Sequence, residues 1–151
     1  GISGDRTEHV IWRLQHAGGF EQYHPDVVVV MIGTNNTGHL MQDPAEVAAG
    51  IERIVAIISE QSPETEIVLQ AIFPRGRNPH DLDRLNNLAI NQRIRRLADQ
   101  PKIHWLDIGN VFLNPDGKLP EAIMPDALHL SEKGYQLWAE ALEPTLKELG
   151  L

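Results

Sequence analysis

The sequence predicts an α/β fold, a three-layer α/β/α sandwich on a parallel sheet with about three strands in this chain. Two observations support this prediction. Short apolar runs alternate with longer segments of helical periodicity along the whole chain, and strands joined by helical crossovers form parallel sheets with helices on their faces. The first run, VVVVMI at 27–32, shows no polar alternation, which is typical of a strand buried on both faces.

The first third of the chain predicts a helix, a strand and a second helix. Asp5 and Glu8 form a D-x-x-E capping box for a helix from about Arg6 to His16. The strand at 27–32 follows, and a cap, a first-turn proline and a capping glutamate then mark the next helix. These start signals are Asp43, Pro44 and Glu46, and the expected core stripe is Val47, Ile51, Ile54 and Ile58.

The rest of the chain predicts two further strands, at 66–74 and 102–109, and two further helices. One helix spans roughly Asp81–Ala98, and Ser131 caps the last one. We expect a single domain over residues 1–151. The core stripes expected on the two helices are Leu85, Leu88, Ile94 and Leu97, and Tyr135, Trp138, Leu142, Leu146 and Leu149.

Composition excludes several classes of protein. A net charge of −8 opposes non-specific binding to nucleic acid or to an anionic membrane. The absence of cysteine removes disulfides and thiolate chemistry, and the longest apolar run is too short to cross a bilayer. Several of the 13 basic residues fall within 75–96, where interspersed aspartates favour a solvated helix face over an anion site.

The candidate site follows from the sheet, because ligands of parallel α/β sheets bind beyond the carboxyl ends of the strands. Asp126 precedes His129 by three positions and can accept its Nδ1–H, which leaves Nε2 as a general base. In GTNN, Gly33 allows a sharp turn and Asn35 offers a side-chain donor suited to an oxyanion. Gly4 stands just before the first helix and could present its N–H outward. Taken singly, each pattern is explained as well or better by ordinary turn residues.

Taken together and in order, these stretches resemble the SGNH (GDSL-type) serine esterase family. GISGDRTEHVIWRL is similar to its second block, VVVVMIGTNN to its third and PDALHL to its fifth. The resemblance implies a flavodoxin-like fold, oxyanion donors at Gly4 and Asn35, and a catalytic pair at Asp126 and His129. Asn36 departs from the aspartate that many members carry. FPRGRNP and NNLAINQRI narrow the likeness to the catalytic subunits of platelet-activating-factor acetylhydrolase type Ib and their bacterial relatives.

The family's first block, which carries the nucleophilic serine, has no counterpart among Ser3, Ser59, Ser62 and Ser131. The chain also begins at Gly1 inside a turn-rich segment without an initiator methionine. We therefore expect it to be cut off on its N-terminal side, with the serine and any targeting signal upstream, so that no compartment is predicted. In the family's strand order this leaves the strand at 27–32 as a sheet edge open to self-association, and a homodimer is one assembly it allows.

The resemblance implies a hydrolase of small acyl esters, most plausibly acetyl esters of a lipid, carbohydrate or other polar alcohol, with this chain inactive for want of its serine. The expected partner is a small acyl-ester substrate, with no nucleic acid and no membrane span. No cofactor is implied, and no metal, since the seven histidines lack H-E-x-x-H or paired ligand spacing. Two alternatives remain: a non-catalytic binding or assembly module on the same fold, and a flavodoxin-like ligand binder, which is weakened by the absence of a phosphate-cradling loop.

Overall fold

The computed structural model describes residues 2–20 and 23–151. Within these ranges, one sheet holds three parallel strands in the order β1-β2-β3. Val27 pairs with Glu66 at one junction, and Ile67 pairs with Ile103 at the other. The strands are β1 (Val27–Val30), β2 (Glu66–Gln70) and β3 (Ile103–Leu106).

Helices cover both faces of the sheet, so the predicted three-layer α/β fold is confirmed. The helices are α1 (Thr7–His16), α2 (Thr34–Leu40), α3 (Pro44–Gln61), α4 (Leu82–Ile94) and α5 (Glu132–Glu148), with short 3-10 turns at Arg95–Asp99 and Gly109–Phe112. The α1, α3 and α4 helices pack on one face, and α5 packs on the other. Because the strands follow one another in the order β1-β2-β3 and both crossovers have the same hand, α3 and α4 lie on the same face of the sheet.

The larger core lies between the sheet and α3. Asp43 caps α3 by accepting the N–H of Ala45 at 2.7 Å, and the predicted stripe Val47, Ile51, Ile54 and Ile58 is buried. These side chains meet Ile67 and Leu69 from β2, together with half-buried residues of α1. A second core, centred on Phe73, Phe112 and Met124, lies under α5. Burial of apolar surface on both sides of the central strand is the main stabilising contribution expected for such a fold.

The buried face of α4 is partly polar, which corrects half of the predicted stripe: Ile94 and Leu97 are buried as expected, but the two leucines before them are not. Leu85 and Leu88 are 45% and 48% exposed, whereas Arg84, Asn87 and Asn91 are buried beside Ile90 and Ile94. The basic residues of this stretch are therefore not all on a solvated face, since Arg84 is 3% exposed. The stripe of α5 was also predicted incorrectly in part, because Tyr135 is 57% exposed.

Two local features differ from the sequence-based expectation at the amino-terminal side of the site. Asp5 does not cap α1; Arg6 takes the N-cap position, and its N–H donates to His9 Nδ1 at 3.2 Å. Asp5 instead contacts the Arg13 guanidinium. The GTNN segment is the start of α2 rather than a plain turn. Gly33 has φ of 120° at the exit from β1, a left-handed conformation that favours glycine.

The ladder of β2 ends four residues before Pro74, so the predicted strand at 66–74 is shorter than expected. Beyond it, the Asn91 side chain accepts the N–H of Ile72 at 2.8 Å and donates to the same residue's carbonyl at 2.9 Å. Asn87 then donates to the Phe73 carbonyl at 3.2 Å. Side chains of α4 thus complete the hydrogen bonds of this buried backbone, which would be costly to leave unmade.

No helix in the described ranges has the length and apolar character that a membrane crossing requires. Strand β1 lies at one end of the sheet order, with β2 as its neighbour in the described part of the chain. Val29 on this strand is 38% exposed. An apolar strand at an edge is a template for pairing with another chain.

We expect the 151-residue chain to self-associate through β1, and Val29→Lys to weaken that association, because a lysine on an edge strand opposes strand pairing. Sedimentation velocity over a range of concentrations measures the effect. Leu85→Lys is the matched control, since it places the same charge on an exposed helical leucine and should leave association unchanged. A wild-type chain that stays monomeric at every concentration contradicts the prediction.

Candidate active site

One cavity of about 520 Å³ opens at the carboxyl ends of β1 and β2, where the parallel-sheet rule predicts a site. Segments of different origin line it: the chain before α1, the exits from β1 and β2, the loop before α5, and α5 itself. Gly4, Asn35 and His129 lie in this lining, while Asp126 contacts His129 from outside it. The structure thus brings together the four residues that the sequence nominated.

Asp126 holds His129 through both its side chain and its backbone. The carboxylate Oδ2 lies 2.6 Å from His129 Nδ1, and Oδ1 accepts the backbone N–H groups of His129 at 2.8 Å and Leu128 at 3.1 Å. Because an ionised carboxylate only accepts hydrogen bonds, Nδ1 must carry the proton of this contact. The ring nitrogen Nε2 then points away from the carboxylate and is available to take a proton.

These hydrogen bonds hold the pKa of Asp126 well below its ordinary value, with the His129 side chain as the largest cause. A carboxylate whose pKa is lowered in the folded state contributes stability above its unfolded pKa and loses that contribution as the pH falls through the folded pKa. The carboxylate therefore keeps its hold on His129 below pH of about 4, where an ordinary aspartate protonates. Both side chains are largely exposed at the cavity mouth, at 55% and 74%.

Asn35 lies at the start of α2, and its side-chain N–H donates to the Asp5 carbonyl at 2.8 Å. A primary amide has two N–H donors, so one fixes the side chain and the second remains for a ligand. Gly4 has φ of 79°, and a Cβ there would meet no atom within 4 Å. The need for glycine at this position is therefore conformational rather than steric.

Asn36 joins the first turn of α1 to α2 through hydrogen bonds, a role that the sequence did not indicate. It is fully buried, and its Oδ1 accepts the N–H of Thr7 at 3.1 Å. Its Nδ2 lies within hydrogen-bonding distance of Thr7 Oγ1 (3.1 Å), Glu8 Oε2 (3.1 Å) and Gln42 Oε1 (2.8 Å). Burial raises the pKa of Glu8, but hydrogen bonds from its own backbone, Arg6 and Asn36 bring it below its ordinary value.

The far wall of the cavity is mostly apolar and was missed by sequence reasoning, which assigned Trp138 and Tyr135 to a core stripe. Trp138 stacks on Tyr135 at 5.9 Å and contacts Phe73 edge-on at 5.2 Å. The indole N–H donates to Gln70 Oε1 at 3.0 Å, so this donor already has a partner in the protein. Arg75 also lines the cavity and donates to the Thr34 carbonyl at 2.9 Å; the strand-end rule had pointed to its loop.

No serine hydroxyl is hydrogen-bonded to His129 in the part of the chain that the structure describes. Ser3 lies in the cavity lining. Ser131 caps α5 by accepting the N–H of Gly134 at 3.2 Å and donates to the Ala122 carbonyl at 2.7 Å, as the capping prediction required. Ser62 is buried against Thr65. Across residues 2–20 and 23–151, no group of three or more histidine or acidic side chains could hold a metal ion.

The chain is similar to known acylhydrolases in sequence. A model of the GDSL-like lipase/acylhydrolase family matches residues 1–137. The alpha1 subunit of platelet-activating factor acetylhydrolase IB from Homo sapiens is 40% identical over 150 residues, which cover 99% of this chain and 63% of that protein. This chain therefore spans less than two thirds of the length of that relative.

Solved structures show the same fold at low sequence identity. A GDSL-like lipase from Bacteroides thetaiotaomicron aligns with a TM-score of 0.79 at 17% identity, over 98% of this chain and 74% of the other. A variant of Axe2, an acetyl-xylooligosaccharide esterase from Geobacillus Stearmophilus, aligns with a TM-score of 0.75 at 22% identity, over 100% of this chain and 70% of the other.

We expect His129→Gln to raise the pKa of Asp126 toward its ordinary value, because the substitution weakens the largest cause of the lowering. Carbon NMR of the aspartate carboxyl groups, titrated from neutral to acid pH, measures the shift. His16→Gln, on the exposed end of α1, is the control and should leave the Asp126 titration unchanged. An Asp126 midpoint that does not move in His129→Gln contradicts the assigned contact.

We expect Asn36→Asp to lower the free energy of unfolding by about 1–3 kcal/mol, because an aspartate cannot donate to Glu8 and Gln42. Glu8→Gln restores a donor, so the double variant should recover part of that loss in a urea double-mutant cycle. The control is Asn110→Asp at an exposed position. If Asn36→Asp and the parent chain have the same free energy of unfolding, the hydrogen bonds donated by the Asn36 amide do not stabilise the fold, and the prediction is wrong.

Proposed function

Because the chain belongs to the GDSL-like lipase/acylhydrolase family, we propose that it is the histidine-bearing part of an enzyme that hydrolyses small acyl esters. The observation that carries the proposal is the 2.6 Å contact between Asp126 and His129 beside a cavity that Asn35 also lines. An imidazole oriented by a carboxylate is the general base of serine hydrolases, and an amide donor in the same cavity can bind the oxyanion.

In the proposed reaction, a serine hydroxyl attacks the acyl carbonyl and its proton passes to Nε2 of His129. Asp126 stabilises the imidazolium through Nδ1–H and does not take the proton itself. The imidazolium then protonates the departing alcohol, which leaves an acyl-enzyme. Water, deprotonated by the same nitrogen, attacks this ester, and His129 returns the proton to the serine oxygen as the acid product leaves.

The negative charge on the carbonyl oxygen needs donors that are already in position. Asn35 supports this role, since its side chain is fixed through Asp5 and keeps a second N–H. The backbone N–H of Gly4 is the other donor proposed from this chain. Removal of one donor of this kind typically costs about a factor of 100 to 1,000 in kcat, so Asn35→Ala should be the most informative variant in an active form of the protein.

The nucleophile is proposed to come from outside residues 1–151. Ser131 and Ser62 are held in other contacts, and Ser59 lies at the end of α3, away from the cavity lining. Ser3 shares the cavity but belongs to the segment that resembles the second family block. The proposal therefore assigns no serine of this chain to the attack.

The proposed substrates are acetyl esters of a lipid, carbohydrate or other polar alcohol. Support comes from the relatives, whose names include a platelet-activating factor acetylhydrolase and an acetyl-xylooligosaccharide esterase. The apolar wall at Phe73 and Trp138 suits a small acyl group, and the open mouth at His129, which is 74% exposed, leaves room for a larger alcohol.

We expect 4-nitrophenyl acetate to give no stoichiometric burst with the 151-residue chain, and only slow background release that His129→Gln reduces further. A chain extended at its amino terminus to the length of the relatives should give a burst and an acylated serine, identified by mass spectrometry. A burst in the 151-residue chain that Ser3→Ala abolishes contradicts the assignment of the nucleophile. An extended chain that binds esters without turnover supports a binding module instead of an enzyme.

A further inference from the structure

The segment that carries Asp126 and His129 has no helix or strand of its own. It runs from Leu119 to Leu130 between a 3-10 turn and α5. Ala127, between the two site residues, has φ of 62°, a left-handed conformation that is unfavourable for a non-glycine residue. The surrounding contacts must therefore hold this backbone in place.

Several of those contacts come from Arg77, on the loop after β2. Its Nη1 donates to the carbonyls of Leu119 at 3.2 Å and Met124 at 2.8 Å, and its Nη2 donates to the carbonyl of Pro125. The backbone carbonyl of Arg77 accepts the N–H of Leu119 at 3.0 Å. One planar guanidinium therefore joins the start of the segment to its middle and reaches the residue that directly precedes Asp126.

The loop that carries Arg77 is itself fixed by α4. The buried Arg84 donates through Nε to the Arg75 carbonyl at 3.1 Å, and through its two terminal nitrogens to the carbonyls of Gly76 at 2.5 Å and Gly117 at 2.6 Å. Gly76 in turn donates its N–H to the Ala127 carbonyl at 3.0 Å. Desolvation by burial lowers the pKa of Arg84, and the charge of Asp81 opposes this effect.

We propose that Arg77 is a positioning residue for the catalytic pair: by binding the carbonyls of Met124 and Pro125, it sets the backbone from which Asp126 reaches His129. The proposal rests on the proposed function only in regarding the pair as catalytic. Two arguments distinguish this role from general packing. The guanidinium donates to three backbone carbonyls rather than to a carboxylate. The positions of its N–H groups, and not only its charge, therefore determine how it holds the backbone. Its last contact is with Pro125, the residue directly before Asp126, whose carboxylate must be placed to reach His129.

The test measures the pair directly, without turnover. In Arg77→Met, which keeps the length of the side chain but has no donors, we expect the Asp126 titration midpoint to rise toward the ordinary value in carbon NMR. We also expect the downfield proton signal of His129 Nδ1–H to be lost. Arg77→Lys should give an intermediate shift, because one ammonium group cannot span three carbonyls. Arg96→Met is the matched control, since Arg96 is exposed and pairs with Glu52.

An unchanged Asp126 midpoint and a retained His129 signal in folded Arg77→Met overturn the proposal. If Arg77→Met does not fold, Arg77→Lys decides, and a parent-like titration in that variant overturns it equally. The outcome is independent of esterase activity: an extended chain without turnover would refute the proposed function and leave these NMR results standing. In an active extended chain, the expected signature of Arg77→Lys is a lower kcat with little change in KM.

Discussion

Backbone groups that leave a parallel ladder while still buried must find other partners, and this constraint shapes the structure around the cavity. β2 ends at Gln70, yet Ala71 and Ile72 remain 1% and 5% exposed. The inner face of α4 supplies the partners. Asn91 hydrogen-bonds to both the N–H and the carbonyl of Ile72, and Asn87 donates to the carbonyl of Phe73. Because these hydrogen bonds hold the backbone after β2, the following loop begins from a fixed position beside the cavity.

The same principle extends outward from α4 to the site. Arg84 binds carbonyls of the loop after β2, and Arg77 on that loop binds carbonyls of the segment before α5. On the opposite side of the cavity, Asn36 joins the start of α1 to α2, and Asn35 next to it is held by the Asp5 carbonyl. Irregular segments thus obtain their positions from polar side chains on helices and on a neighbouring loop, which is how a fixed site can be built on loops.

This arrangement also gives three arginines within residues 75–96 partners inside the fold. A guanidinium has five donors and no acceptor, so it can satisfy several carbonyl oxygens at once. Arg77 and Arg84 use their donors on backbone carbonyls, and Arg75 binds the Thr34 carbonyl and pairs with Asp83 at 3.3 Å. These contacts within the fold stabilise the geometry of the loops.

The sequence by itself determined the fold class, the order of the elements and the place of the cavity. These follow from short-range patterns: the β-branched run of β1, the stripe of α3 and the D-x-x-H spacing, which keeps the two residues close along the chain. The partners of Arg77, Asn36 and Asn91 were decided only by the tertiary structure. Hydrophobic periodicity predicts which face of a helix is apolar, but it cannot show that α4 buries Arg84, Asn87 and Asn91 together with its isoleucines. That outcome depends on the backbone carbonyls after β2, which are distant in sequence from α4 and lie beyond the β2 ladder. A hydrogen-bond donor facing them stabilises the fold more than a leucine would.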